Sequence, residues 1–170
     1  MDSLKLLVIT IVQGVTELLP VSSSGHIIII GDIMSMPISS SLLTAVQIGT
    51  TIAIVIFFKD LLFKNFLSKN NRVFILKIIV GSIPAVIAGI FLQSIIEEKL
   101  RSIWVISLSL IIWGTVMVIV DKKWESNNSK LEDVTLKQSL FIGLGQSLAL
   151  IPGTSRSGIS TLFGIFSGLD

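Results

Sequence analysis

Three ionisable residues stand inside otherwise apolar sequence: Glu17, His26 and Arg156. His26 is the only histidine in 170 residues. It closes the stretch Leu19-Pro20-Val21-Ser22-Ser23-Ser24-Gly25-His26, and Ile27 to Ile30 follow at once. Arg156 lies within Pro152-Gly153-Thr154-Ser155-Arg156-Ser157-Gly158, again between apolar runs. Charged groups at membrane depth cost about 2.5–3.5 kcal/mol each on insertion scales and mark functional sites by default. The chemistry these residues suit is that of a phosphate. A guanidinium beside backbone N–H groups at a helix start offers an anion both a bidentate fork and a favourable dipole. Serine and glycine let the backbone come close to a ligand. Glu17 follows Gln13 by four residues, so the two share one helix face. A carboxylate among phosphate binders could act as a base or hold a divalent cation such as magnesium or calcium. His26 could be nucleophile or general acid. Ser23 or a neighbouring serine could instead attack, with His26 as its base. Each residue also has a plainer role. His26 and the serine run could cap a helix, Arg156 could snorkel to the interface, and Glu17 could only pair with Gln13.

The elements that must position these residues are helices in a bilayer. The chain is 51% hydrophobic and 14% charged, against roughly 25% charged residues in soluble domains. Its mean hydropathy is +0.89. Cysteine is absent, which excludes disulfides and thiolate metal sites. The net charge of +2 requires no nucleic-acid partner, because a few loop lysines account for it. The first residues lack the n-region and cleavage site of a signal peptide, so the N-terminal apolar run is expected in the mature protein.

Three stretches predict transmembrane helices: about Leu42–Phe58, Val73–Ile96 and Ser102–Val120. Charged breaks at 59–72, 97–101 and 121–137 separate them, and the SNNSK core of the last is a loop. Two other apolar stretches are short. Leu4–Leu19 ends at Pro20 and Ser139–Ile151 ends at Pro152, and each polar loop leads into a second short apolar run. Gln13 and Gln146 precede the two loops. This reads as an internal repeat with a period near 132 (152 − 20). Non-helical backbone at membrane depth survives only where protein or a wet cavity covers it, so each copy predicts a re-entrant helical hairpin. Three spans lie between the hairpins, an odd number. The second hairpin must then enter from the opposite face, which makes the copies inverted repeats. The first repeat covers 1–137, with its hairpin at about 4–34. The segment 138–170 holds only the hairpin of the second. Loops 59–72 and 121–137 carry eight basic residues and loop 97–101 carries two. The positive-inside rule places the first two in the cytoplasm and opens the first hairpin to the outside.

Specific stretches carry a family resemblance. QGVTELLPVSSSGH (Gln13–His26) and LIPGTSRSG (Leu150–Gly158) resemble the two signature regions of the undecaprenyl-diphosphatase family, the bacitracin-resistance proteins. AVQIGTTIAIVIFF (Ala45–Phe58), GSIPAVIAG (Gly81–Gly89) and GLGQSLALIPGTSRSGIS (Gly143–Ser160) resemble further family segments in family order. The resemblance covers essentially the whole chain. It implies an all-α membrane fold with two re-entrant hairpins in an inverted repeat, resident in the plasma (inner) membrane. It implies hydrolysis of undecaprenyl diphosphate to the monophosphate, which regenerates the carrier for peptidoglycan and other wall polymers and confers bacitracin resistance. The family's Glu/Gln-x-x-x-Glu pattern matches Gln13 and Glu17. Its motif serines match Ser22, Ser23 and Ser24, beside Gly25, and its histidine matches His26. Its phosphate-binding arginine matches Arg156, flanked by Gly153, Thr154, Ser155, Ser157 and Gly158. Among the open assignments, Ser23 as nucleophile with His26 as acid/base is preferred.

One departure from the family pattern stands out. Family members run to two full repeats, and this chain stops at Asp170, after the second hairpin. The expectation is a fragment or a shortened form, with a second copy of the chain as one source of the missing wall. Two rival readings follow: a polyprenyl-phosphate transporter, since inverted repeats meeting at the midplane are common in transporters, and an inactive fragment.

Overall fold

Continuous apolar sequence without a polar break gives long helices. A computed structural model describes residues 3–60, 72–123 and 134–169. In it, α3 spans Ser40–Phe57, α4 Arg72–Ile95 and α5 Ile103–Lys123. All three are long and apolar enough to cross a membrane. They start and stop within three residues of the spans read from sequence. The largest difference is at the end of α5, which carries Asp121, Lys122 and Lys123 as its last turn. Lysines there complement the negative end of the helix dipole. The break at 97–101 folds as a π-helical turn, Ile96–Leu100, continuing α4. The break at 59–72 and the SNNSK core fall almost entirely outside the described residues. Many large apolar side chains of the long helices point outward: Phe91 is 78% exposed and Trp104 83%. Faces of this kind require an apolar surrounding, and a bilayer supplies it.

Polar interruptions give short helices. Helix α1 spans Ser3–Thr16, α2 Ser23–Ile33, α6 Leu136–Leu148 and α7 Arg156–Phe166. At 1.5 Å per residue none exceeds about 21 Å, well under the roughly 30 Å of a bilayer core. They pack as two hairpins, α1 on α2 and α6 on α7. Each hairpin is closed at its open end by the third residue of its first helix. Lys5 Nζ donates to the Met34 carbonyl at 2.7 Å, and Gln138 Nε2 donates to the Ser167 carbonyl at 3.0 Å. Met34 and Ser167 are the C-caps of α2 and α7. A capping box between Thr135 and Gln138 starts α6.

The helices of the two hairpins correspond at an offset of 133 (136 − 3 and 156 − 23), one more than the prolines give. Gln13 and Gln146 share that offset, so no residue is inserted: the second proline stands one residue further from its N-cap, and Gly153 takes the place that Pro20 has in the first copy. Gly153 has φ +91, and a Cβ there would lie 2.5 Å from the Ile106 carbonyl oxygen. Only glycine fits that position.

The hairpins are tied together through the long helices. The closest pairing is α4 with α6. A Cβ on Gly143 would stand 2.1 Å from the Gly81 carbonyl oxygen, so the two backbones touch where neither residue has a side chain. Small residues permit this approach between membrane helices. Helix α5 contacts α2 on one side and α7 on the other. Arg101, just before α5, donates to Ser40 Oγ and to the Ile38 carbonyl, which anchors α5 to the start of α3.

Candidate active site

The two polar loops meet. A Cβ on Gly25 would lie 3.1 Å from the Gly153 Cα, so the loops are in backbone contact. Beside that contact is a cavity of about 280 Å³. Glu17, Ser22, Ser23 and Ser24 line it from the first loop. Thr154, Ser155, Arg156 and Ser157 line it from the second, with Gln47 of α3, Gln146 of α6 and Ser160 of α7. The remaining candidates, Gln13, His26, Gly25, Gly153 and Gly158, are not among the residues that line it. Gly158 faces Met117 of α5.

The first loop sets a hydroxyl against a carboxylate. Ser23 Oγ donates to Glu17 Oε2 at 2.5 Å. Gln13 Nε2 donates to the same oxygen at 2.8 Å, and it also lies 3.1 Å from Thr50 Oγ1 of α3. Gln13 is fully buried, so its amide fixes the direction of the carboxylate. A nucleophile within hydrogen-bond reach of a base that a third group orients is the arrangement of activated nucleophiles. The partner of Ser23 is therefore Glu17. The pairing of Ser23 with His26 expected from sequence is absent among the described contacts. Instead His26 Nδ1 lies 2.9 Å from the Ser22 carbonyl oxygen, four residues back.

Ser22 is held in an unusual conformation. Its φ of 64° and ψ of 84° are left-handed, and its side chain does not cap α2. Such backbone in a residue other than glycine costs about 1–3 kcal/mol and collects at functional sites. The Ser22 hydroxyl is buried without a hydrogen-bond partner among the described residues, and so is that of Thr154. Both residues line the cavity. With no cap, the N–H groups of Ser23, Ser24 and Gly25 have no acceptor among the described residues.

The second loop differs. Ser155 caps α7 in an extended conformation and accepts from Gly158 N at 3.1 Å. That leaves the N–H groups of Arg156 and Ser157 open among the described residues. Arg156 is the first residue of α7, and its exposed guanidinium makes no hydrogen bond among the described residues. Two helix N-termini, a guanidinium and two unsatisfied hydroxyls thus converge on one cavity whose lining carries one carboxylate. Partial positive charge dominates, and an anion is the ligand that satisfies it.

The chain matches, over residues 6–170, the family described as bacitracin resistance protein BacA. It belongs to that family. Among curated proteins it is similar to the undecaprenyl-diphosphatase of Campylobacter curvus, 40% identical over 181 residues covering all of this chain and 68% of that protein. The undecaprenyl-diphosphatase of Renibacterium salmoninarum is 36% identical, covering 99% of this chain and 64% of that protein. That of Hahella chejuensis is 38% identical, covering all of this chain and 67% of that protein. The chain spans about two thirds of the length of these BacA-family relatives.

Several residues at or beside this cavity do not stand out as site residues in the sequence. Gln47 and Thr50 sit in a helix read only as a span, although an amide inside an apolar run was a usable signal. Gln146 served only as a marker of the repeat. Ser160 lies one turn past Arg156, and its proximity to the loop was the available clue.

Proposed function

We propose that this chain carries the catalytic loops of an undecaprenyl-diphosphate phosphatase of the plasma membrane. The observation that carries the reading is the Ser23–Glu17 hydrogen bond placed across one cavity from Arg156. In this mechanism the Arg156 guanidinium and the open N–H groups of both helix starts hold the diphosphate. Glu17 takes the proton of Ser23 as its Oγ attacks the terminal phosphorus. The new O–P bond forms as the bond to the bridging oxygen breaks, and the polyprenyl monophosphate leaves with that oxygen. Glu17 passes that proton to the departing monophosphate; it then takes a proton from water, whose oxygen attacks the phosphoserine, and returns it to Ser23 Oγ as the Oγ–P bond breaks and phosphate is released. The developing charge on the phosphoryl oxygens meets fixed N–H donors and Arg156, which is where electrostatic catalysis acts. His26 is a positioning residue: its bond to the Ser22 carbonyl holds the left-handed turn that frees the N–H groups of α2.

A divalent cation fits this donor set in one way. Among the described residues no three acidic, histidine or cysteine side chains cluster. Glu17 would hold the ion, with substrate phosphate oxygens completing its shell, as magnesium commonly binds. The ion would neutralise phosphate charge.

The membrane arrangement is proposed with it. Helices of 11–14 residues support re-entrant hairpins, and three spans between them support inverted copies. Loops 59–72 and 121–137 are assigned to the cytoplasm. Maleimide should then label Ser68→Cys and Asn128→Cys from the cytoplasm and Glu98→Cys from outside. Labelling of Ser68→Cys and Glu98→Cys from one side overturns the arrangement. The hydrolase reading is tested by phosphate release from undecaprenyl diphosphate in detergent micelles. Lipid movement across vesicles with no phosphate freed would assign the site to transport.

A further inference from the structure

A second cavity, of about 420 Å³, lies between α4, α6 and α7, within the usual size of small-molecule pockets, roughly 300–1,000 Å³. Its lining follows α6 from Ser139 to Gln146, seven rises of 1.5 Å or about 10 Å along the helix. Gln146 and Ser160 line this cavity and the active-site cavity alike, so the two spaces adjoin at that pair. Their chemistry differs. One side of the junction presents hydroxyls, N–H groups and Arg156. The other is mainly apolar surface, with Phe74, Ile78, Val134, Ile142 and Leu169 beside Lys77 and the hydroxyls of Ser82, Ser139 and Thr161. A Cβ on Gly164, in the lining, would meet nothing within 4 Å.

A diphosphate monoester has the same division: an anionic head and an apolar chain joined at one ester oxygen. With the head on Arg156, the chain must leave the polar cavity, and the adjoining space is mainly apolar. The Gln146 carboxamide makes no hydrogen bond among the described residues and stands where head and chain join. We infer that this cavity receives the first isoprenoid units of the lipid diphosphate, and that Gln146 is the positioning residue that bonds the head at its ester end. The inference rests on the hydrolase reading for the identity of the head.

Gly164→Leu tests it by placing a side chain in the cavity from a position where a Cβ meets nothing within 4 Å. Farnesyl diphosphate and inorganic diphosphate are the probes. The expected result is a KM for farnesyl diphosphate raised about tenfold, with kcat held and with competitive inhibition by inorganic diphosphate unchanged. An unchanged KM, or an equal weakening of both probes, overturns the inference. A second measurement does not depend on turnover. The chain has no native cysteine, so Ser82→Cys, exposed in the lining, reports occupancy through its rate of maleimide labelling in detergent. Farnesyl diphosphate should slow that rate several-fold and inorganic diphosphate should not. Slowing by both, by neither, or a blocked thiol before any lipid is added overturns the inference. Protection without phosphate release keeps the cavity assignment and removes the hydrolase reading. Release without protection does the reverse.

Discussion

The two hairpins share a frame and differ in what they mount on it. Their second helices are each 11 residues long and begin 133 residues apart. At that offset Ser22 corresponds to Ser155, Ser23 to Arg156, Glu17 to Leu150 and His26 to Ile159. Ser155 caps its helix in relaxed extended backbone, while Ser22 is left-handed and caps nothing. In the proposed mechanism the first loop, with its strained Ser22, holds the base and the nucleophile, and the second holds a relaxed anion site. On that reading one frame is divided between reaction and binding by a few residues at matched positions.

The largest effects should come from the reacting side. Ser23→Ala should abolish phosphate release, and Glu17→Gln should lower kcat by about 10²–10⁴-fold, the usual worth of a general base. The double variant should be scarcely worse than Ser23→Ala, because members of one catalytic unit are non-additive. Multiplicative losses would separate the two residues. On the binding side, Arg156→Ala should cost about 10²–10³-fold, as for loss of one oxyanion donor. Arg156→Lys should not restore it, since an ammonium lacks the planar fork. A near-normal lysine variant would reduce Arg156 to a point charge and blur the division of labour.

Smaller effects sharpen the contrast between the matched serines. Ser22→Gly should raise unfolding stability by about 1 kcal/mol, because glycine takes left-handed backbone without penalty, while phosphate release falls. Ser155→Ala should do the opposite to stability, losing about 0.5–2 kcal/mol with its cap. Thermal unfolding in detergent reads both. The same sign at the two positions would mean that Ser22 is an ordinary cap.

Much of this frame was legible in the sequence. Length and hydropathy decide α3, α4 and α5, because a bilayer imposes a minimum run of apolar residues. The short helices show through Pro20, Pro152 and the serines beside them. The rest depended on distance across space. Glu17 reaches Ser23 over a turn whose course nothing in the residue types dictates. His26 stands three residues after Ser23 on one helix, a spacing that allows contact, yet its ring turns back to the Ser22 carbonyl. The offset of 133 is written in Gln13 and Gln146 as well as in the helices, but the two prolines, 132 apart, set the period read from sequence.

The position of α5 has a further consequence. Its Ile106 carbonyl lies under Gly153, its Leu110 side chain lies against Gly25, and its Met117 lies against Gly158. One helix is thus the common gauge for both loops. A change in either loop is felt first by α5 and then by the other, so the two halves of the site are not free to drift apart. Substitutions that enlarge Ile106, Leu110 or Met117 should therefore disturb the glycine each one touches, and through α5 the spacing of the two loops.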